Sequence, residues 1–196
     1  MNTPLTILGI AGSLRKASYN QAALRAAQEL TPEGAKTEIF DLDGIPPFNQ
    51  DQENPAPAAV AQFKARIRAA DAILIATPEY NYSIPGVLKN AIDWASRPYG
   101  DSAWEGKPAA ILGASPAANG TARAQYHLRQ VFVYLNIHTL NKPEVMIGNV
   151  HQLFDQAGNL TDEKTKKNIR ELVESLVKYT HQLERGRTAA GAEALR

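Results

Sequence analysis

Two kinds of hydrophobic pattern alternate along the chain. Short apolar or alternating runs occur at residues 5–10, 37–42, 72–76 and 109–114, and each reads as a strand. Between them lie stretches in which apolar positions return every three or four residues. Ala23, Leu24, Ala27 and Leu30 mark a helix over 20–30, and Val60, Phe63 and Ile67 mark one over 58–69. Further helices are expected over 86–96 and 121–135. Residues 137–140 and 143–147 supply an interrupted fifth strand. A final amphipathic helix over 161–183 carries Ile169, Leu172, Val173, Leu176, Val177 and Leu183 as its apolar stripe. The segment 43–57, rich in Pro, Asn, Gln and Asp, reads as a long surface loop.

Five strand–helix units with short connections predict a parallel sheet covered by helices on both faces, joined by right-handed crossovers. Five strands favour the order 2-1-3-4-5, a flavodoxin-like three-layer α/β sandwich, over the six-stranded dinucleotide fold. Ligands of such sheets bind beyond the carboxyl ends of the strands, beside strands 1 and 3 in this order. The chain reads as one domain over residues 1–184, followed by a flexible tail over 185–196 that has little apolar surface to bury.

Composition changes this picture by exclusion. The 196 residues carry a net charge of +1, so no basic surplus points to nucleic acid. No apolar run approaches the roughly 18 residues that suggest a membrane span, and the first residues do not resemble a secretory leader. A cytoplasmic protein is expected. Cysteine is absent, which removes disulfides, thiol nucleophiles and thiolate metal ligands together. His127, His138, His151 and His181 are scattered without the spacing of metal ligands, so no metal site is expected.

Two loops carry candidate chemistry. The first, Gly12-Ser13-Leu14-Arg15-Lys16-Ala17-Ser18-Tyr19-Asn20, leads from strand 1 into a helix. Free backbone N–H groups and the helix dipole attract anions at such a place. Ser13, Ser18 and Asn20 add neutral donors, and Arg15 adds a fork that fits phosphate. Neither the G-x-x-x-x-G-K-[ST] nor the G-x-G-x-x-G pattern is present, which argues against triphosphatase and dinucleotide sites. The second loop, Thr77-Pro78-Glu79-Tyr80-Asn81-Tyr82-Ser83-Ile84-Pro85-Gly86, follows strand 3. It sets two tyrosines among polar groups and between prolines, a surface suited to something flat with polar edges. The topology puts the two loops side by side, where a phosphorylated planar heterocycle would fit both.

These motifs, together with Leu88-Lys89-Asn90-Ala91-Ile92-Asp93-Trp94 and the helix Arg123-Ala124-Gln125-Tyr126-His127-Leu128-Arg129-Gln130, resemble the NAD(P)H-dependent FMN reductase family, and within it the bacterial quinone and chromate reductases. The resemblance implies that Ser13, Arg15, Ser18, Tyr19 and Asn20 hold the phosphate end of FMN. It implies that Glu79, Tyr80, Asn81, Tyr82 and Ser83 line the isoalloxazine, partly through backbone atoms, with Ser115 approaching from the other side. The implied reaction passes hydride from NAD(P)H through FMN to quinones or similar acceptors (chromate, azo compounds, free flavin) in ping-pong order, with no catalytic side chain. The resemblance also implies a homodimer or homotetramer, with Arg123, Tyr126 and Glu144 near a subunit interface. Rival expectations are a flavodoxin-type electron carrier and a non-catalytic flavin-binding redox sensor. The carrier fits poorly with a pI near 7.9 and an arginine in the first loop.

Overall fold

The computed structural model describes residues 3–193. Strands β1 (Leu5–Ala11), β2 (Ala35–Phe40), β3 (Ala72–Ala76) and β4 (Pro108–Ala114) alternate with helices α1 (Tyr19–Glu29), α2 (Ala58–Ala69), α3 (Gly86–Ala95) and α4 (Ala122–Tyr134). The strands are parallel in the order β2-β1-β3-β4. The far side of β4 is shared by β5 (His138–Thr139), which pairs with Pro108 and Ala109, and β6 (Val145–Ile147), which pairs with residues 112–114. The interrupted fifth strand expected from the sequence is therefore two short strands in one line, and the order 2-1-3-4-5 holds.

Helix α5 (Glu163–Glu193) closes the fold. Its apolar stripe runs out by Leu183, but the helix does not stop there. Residues 185–193 of the expected tail continue α5, in keeping with the good helix formers Glu, Arg and Ala that fill the segment; residues 194–196 lie outside the described residues. No helix among the described residues is long and apolar enough to cross a membrane.

The sheet separates two cores. On one face Ile7, Leu74 and Leu112 meet Leu24 and Ala27 of α1 and Ile169, Leu172, Val173 and Leu176 of α5. On the other, Leu8, Ile10, Ile73 and Ile111 meet Phe63 and Ile67 of α2, Leu88 and Ile92 of α3, and Leu128 and Phe132 of α4. β3 and β4 are buried along their whole length, as strands covered on both faces must be. The long loop after β2 is anchored on α3, where Trp94 Nε1 and Asn90 Nδ2 both donate to the Pro46 carbonyl at 2.8 Å. Trp104 is buried and donates through Nε1 to the Ile92 carbonyl at 3.0 Å. Both tryptophans are thus anchors of the framework.

Gly113 fixes the approach of the loops at the carboxyl end of the sheet. A Cβ there would lie 1.9 Å from Thr121 Oγ1 and 2.4 Å from the Thr77 carbonyl oxygen, so only glycine lets the start of α4 sit against the end of β3.

Candidate flavin site

The first loop leaves β1 at Gly12, whose N–H donates to the Ala76 carbonyl at 2.9 Å and so holds it against the end of β3. Ser18 is the N-cap of α1: its backbone is extended, and its hydroxyl accepts from Asn20 N and Gln21 N at 3.2 and 3.4 Å. Ser13 Oγ accepts from Arg15 N at 3.3 Å, and Gln21 Nε2 donates to the Ser13 carbonyl at 2.9 Å. Local bonds thereby fix the loop's curvature. The N–H groups of Leu14, Lys16, Ala17 and Tyr19 make no hydrogen bond among the described residues. A curved backbone with unused donors at a helix N-terminus is a nest for an anion.

The second loop turns on a two-residue hairpin. Tyr80 and Ser83 exchange backbone hydrogen bonds at 3.0 and 3.1 Å, while Asn81 and Tyr82 have φ of 51° and 66°. Positive φ at both central positions is the type I′ turn, in which glycine usually follows asparagine. Tyr82 occupies that place at a backbone cost of about 1 kcal/mol or more. The residue is 66% exposed.

Helix α4 holds this hairpin. Glu79 Oε2 accepts from the backbone N–H of Arg123 at 3.0 Å and of Ala124 at 3.2 Å. Thr121, the residue at the helix start, makes no side-chain cap, so Glu79 caps α4 from another loop. Glu79 Oε1 meets Arg123 Nε at 2.5 Å and Nη2 as well, with the Glu79 side chain only 6% exposed. Arg123 in turn lies 3.7 Å over the Tyr82 ring centroid. Hydrogen bonding to Glu79, its largest influence, raises the Arg123 pKa above its ordinary value. One turn further on, His127 Nδ1 lies 3.0 Å from Ser83 Oγ.

Between the two loops lies a cleft of about 170 Å³. Eight of the residues expected from the sequence border it: Ser13, Arg15, Ser18, Tyr19, Asn20, Glu79, Tyr80 and Ser115. Pro78, Ala114 and Pro116, which were not among the expected cofactor residues, complete its walls. Asn81, Tyr82 and Ser83 do not line this cleft; they lie on the hairpin beside it. Asn20 differs from its expected role as a plain donor. It is buried, and its amide donates to the Ala114 carbonyl and accepts from the Ala114 N–H, both at 2.9 Å. It joins the first loop to the end of β4, leaving one amide N–H for a ligand. Tyr19 rests against Phe154 and His151, with its hydroxyl 3.1 Å from His151 Nδ1.

The residues present fit FMN. Ser13, Arg15 and the unused N–H groups suit its dianionic phosphate, while the walls from Pro78–Tyr80 and Ser115–Pro116 flank a route toward the hairpin where a planar ring can lie. Among the described residues no cluster of His, Asp or Glu can hold a metal ion.

A model of the family described as NADPH-dependent FMN reductase matches residues 5–152. The chain is 53% identical over 184 residues to an NAD(P)H-dependent FMN reductase of Pseudomonas aeruginosa, covering 93% of this chain and 99% of the relative. It is 46% identical over 165 residues to a 2-hydroxy-1,4-benzoquinone reductase of a Burkholderia species, covering 84% and 90%. Its fold matches the flavoenzyme NAD(P)H:(acceptor) oxidoreductase of Paracoccus denitrificans with a TM-score of 0.84 at 38% identity, covering 91% and 98%. By that family match and those relatives, in keeping with the anion nest, the hairpin and the cleft beside them, the chain belongs to the NADPH-dependent FMN reductase family.

Proposed function

We propose that this protein is an NAD(P)H-dependent FMN reductase that delivers reducing equivalents to quinones and similar small acceptors. The observation that carries this reading is a cleft at the carboxyl ends of β1, β3 and β4, where an anion nest adjoins an exposed aromatic hairpin. The names of the relatives, reductases of flavin and of quinones, support it. Bound FMN supplies the capacity to accept a hydride from NAD(P)H and pass it on.

The protein's own part is placement. Ser13, Arg15 and the first-loop N–H groups would hold the phosphate at one end. Tyr80 and Ser115 would set the ring plane at the other, with the hairpin residues Asn81–Ser83 standing beside the ring's outer edge. With Tyr80 and Tyr82 exposed, the approach beside the ring would be open to solvent, and donor and acceptor would enter it in turn. That order is ping-pong, and it needs no general acid or base from the protein. Chromate, azo compounds and free flavin are further acceptors an open approach would admit. The same reading places the protein in the cytoplasm, where NAD(P)H is supplied, as a homodimer or homotetramer. Arg123, assigned to an interface by resemblance, already has an internal partner in Glu79, so Tyr126 and Glu144 are the freer contacts.

Purified protein should bind FMN, turn yellow, and oxidise NAD(P)H faster when a benzoquinone is added, with parallel double-reciprocal lines. Protein that binds FMN but does not oxidise NAD(P)H would return the carrier or sensor reading. Arg15→Ala should weaken FMN binding roughly ten- to a hundredfold in calorimetry, the loss of one charge-assisted hydrogen bond of about 1.5–3 kcal/mol. Unchanged affinity would remove Arg15 from the phosphate site.

A further inference from the structure

We propose that Glu79 is a positioning residue for the electron acceptor, acting through Arg123 on the Tyr82 ring. The inference rests on the flavin reductase reading above and deepens it. Expectation from the sequence put Glu79 among the groups lining the flavin. The structure directs its carboxylate elsewhere. Both oxygens face the start of α4, where four donors converge: the backbone N–H groups of Arg123 and Ala124 and two nitrogens of the Arg123 guanidinium. A carboxylate so placed is satisfied at a helix N-terminus and has little capacity left for a ligand.

The guanidinium it holds is the feature that acts. The Arg123 guanidinium carbon lies over the Tyr82 ring, 3.7 Å from its centroid. Two χ angles would otherwise let an exposed tyrosine sweep several orientations. Its backbone is already in the left-handed region, which natural sequences retain where the surroundings fix it. The ion pair, the stacking and the Ser83–His127 contact pin the hairpin Tyr80–Ser83 to α4 from two sides. Tyr82 is left largely exposed, an aromatic lip two residues from Tyr80 on the cleft wall. Such a lip would stack a flat, electron-poor acceptor such as a quinone, and the cation behind it would favour acceptors that gain negative charge.

Two substitutions separate this role from simple structure. Glu79→Gln keeps an acceptor for the helix N–H groups and removes the ion pair. Arg123→Ala keeps the cap and removes the cation. Each should raise the KM for a benzoquinone about five- to tenfold, the size of a lost cation–π contact, with kcat changed less than about twofold. FMN affinity should stay within about threefold. The double variant should be no worse than either single one, because both break one chain of contacts. In FMN-free protein the Ser83 amide, which donates to the Tyr80 carbonyl at 3.0 Å, should exchange its hydrogen about tenfold faster in each variant. Should Glu79→Gln fail to fold, Tyr82→Gly leaves the cap and ion pair intact and should show the same rise in KM without loss of stability. A parallel fall in FMN affinity would make Glu79 a cofactor ligand instead. Additive effects, or an unchanged KM and exchange rate, would also overturn the proposal. If the wild-type protein with FMN bound oxidised no NAD(P)H, the function would fail, while hydrogen exchange would still judge the clamp.

Discussion

Asn20 shows how a residue type can announce a ligand and serve the fold. At a helix N-terminus beside serines and arginine, its amide reads as one more donor for an anion. Its partners, the N–H and carbonyl of Ala114, are 94 residues away and carry no side-chain signal. Asn20→Ala would leave two buried backbone groups unpaired, at about 1–3 kcal/mol each before relaxation. Urea unfolding should therefore show a loss of at least about 2 kcal/mol, and a loss under 0.5 kcal/mol would mean that water replaces the amide. Glu79 was hidden for a similar reason. Its motif was conspicuous, yet nothing local tells that the carboxylate reaches Arg123, 44 positions on. Ser13, Arg15, Ser18 and Tyr80 could be grouped from the sequence because each belongs to one of the two loops that border the cleft.

Among the elements, α2 is tied to the loop after α3 by an ion cluster. Lys64, on the buried face of α2 with its side chain 7% exposed, donates to Asp101 at 2.7 Å and to the Arg97 carbonyl. Arg68, one turn later, reaches the same carboxylate at 2.5 Å. Hydrogen bonds from Lys64, then from Arg68, hold the Asp101 pKa below the ordinary carboxylate value. A carboxyl group whose pKa is lowered by folding stabilises the protein above its unfolded pKa, near 3.9, and ceases to do so as pH falls through the lowered value. Asp101→Asn should thus be less stable than wild type at neutral pH, and the gap should close as the pH is taken below about 4. A gap constant from pH 7 to pH 3 in thermal melts would show that Asp101 acts by shape alone. The lysine was readable as a helix residue; its burial was not, since the apolar pattern of α2 is carried by Val60, Phe63 and Ile67.

At the scale of the whole molecule, strand order and the two-sided core followed from hydrophobic periodicity, because parallel sheets admit few arrangements. Even the break in the fifth strand was visible, with Asn141 and Lys142 separating the runs 137–140 and 143–147. The end of α5 was not visible, because periodicity reports burial whereas helix length past the core depends on local propensity. The two halves of α5 should differ accordingly. Leu176→Ala, in the core beneath β4, should cost about 2–5 kcal/mol in denaturant unfolding. Deleting residues 188–196 should shift the midpoint by less than about 2 °C in thermal unfolding, since the apolar stripe of the helix ends at Leu183. A larger loss would give the last turns a structural task.

The broken outer strand also governs how copies of this chain can meet. β5 and β6 are two and three residues long, with a proline in the gap, so that rim offers no continuous row of backbone donors and acceptors. At the opposite rim, Lys36 and Glu38 set charge along β2. Strand-to-strand addition is thus discouraged at both ends of the sheet. Any self-association would then fall to side chains, and Tyr126, Val133 and Tyr134 of α4 are among the large apolar groups that stand exposed.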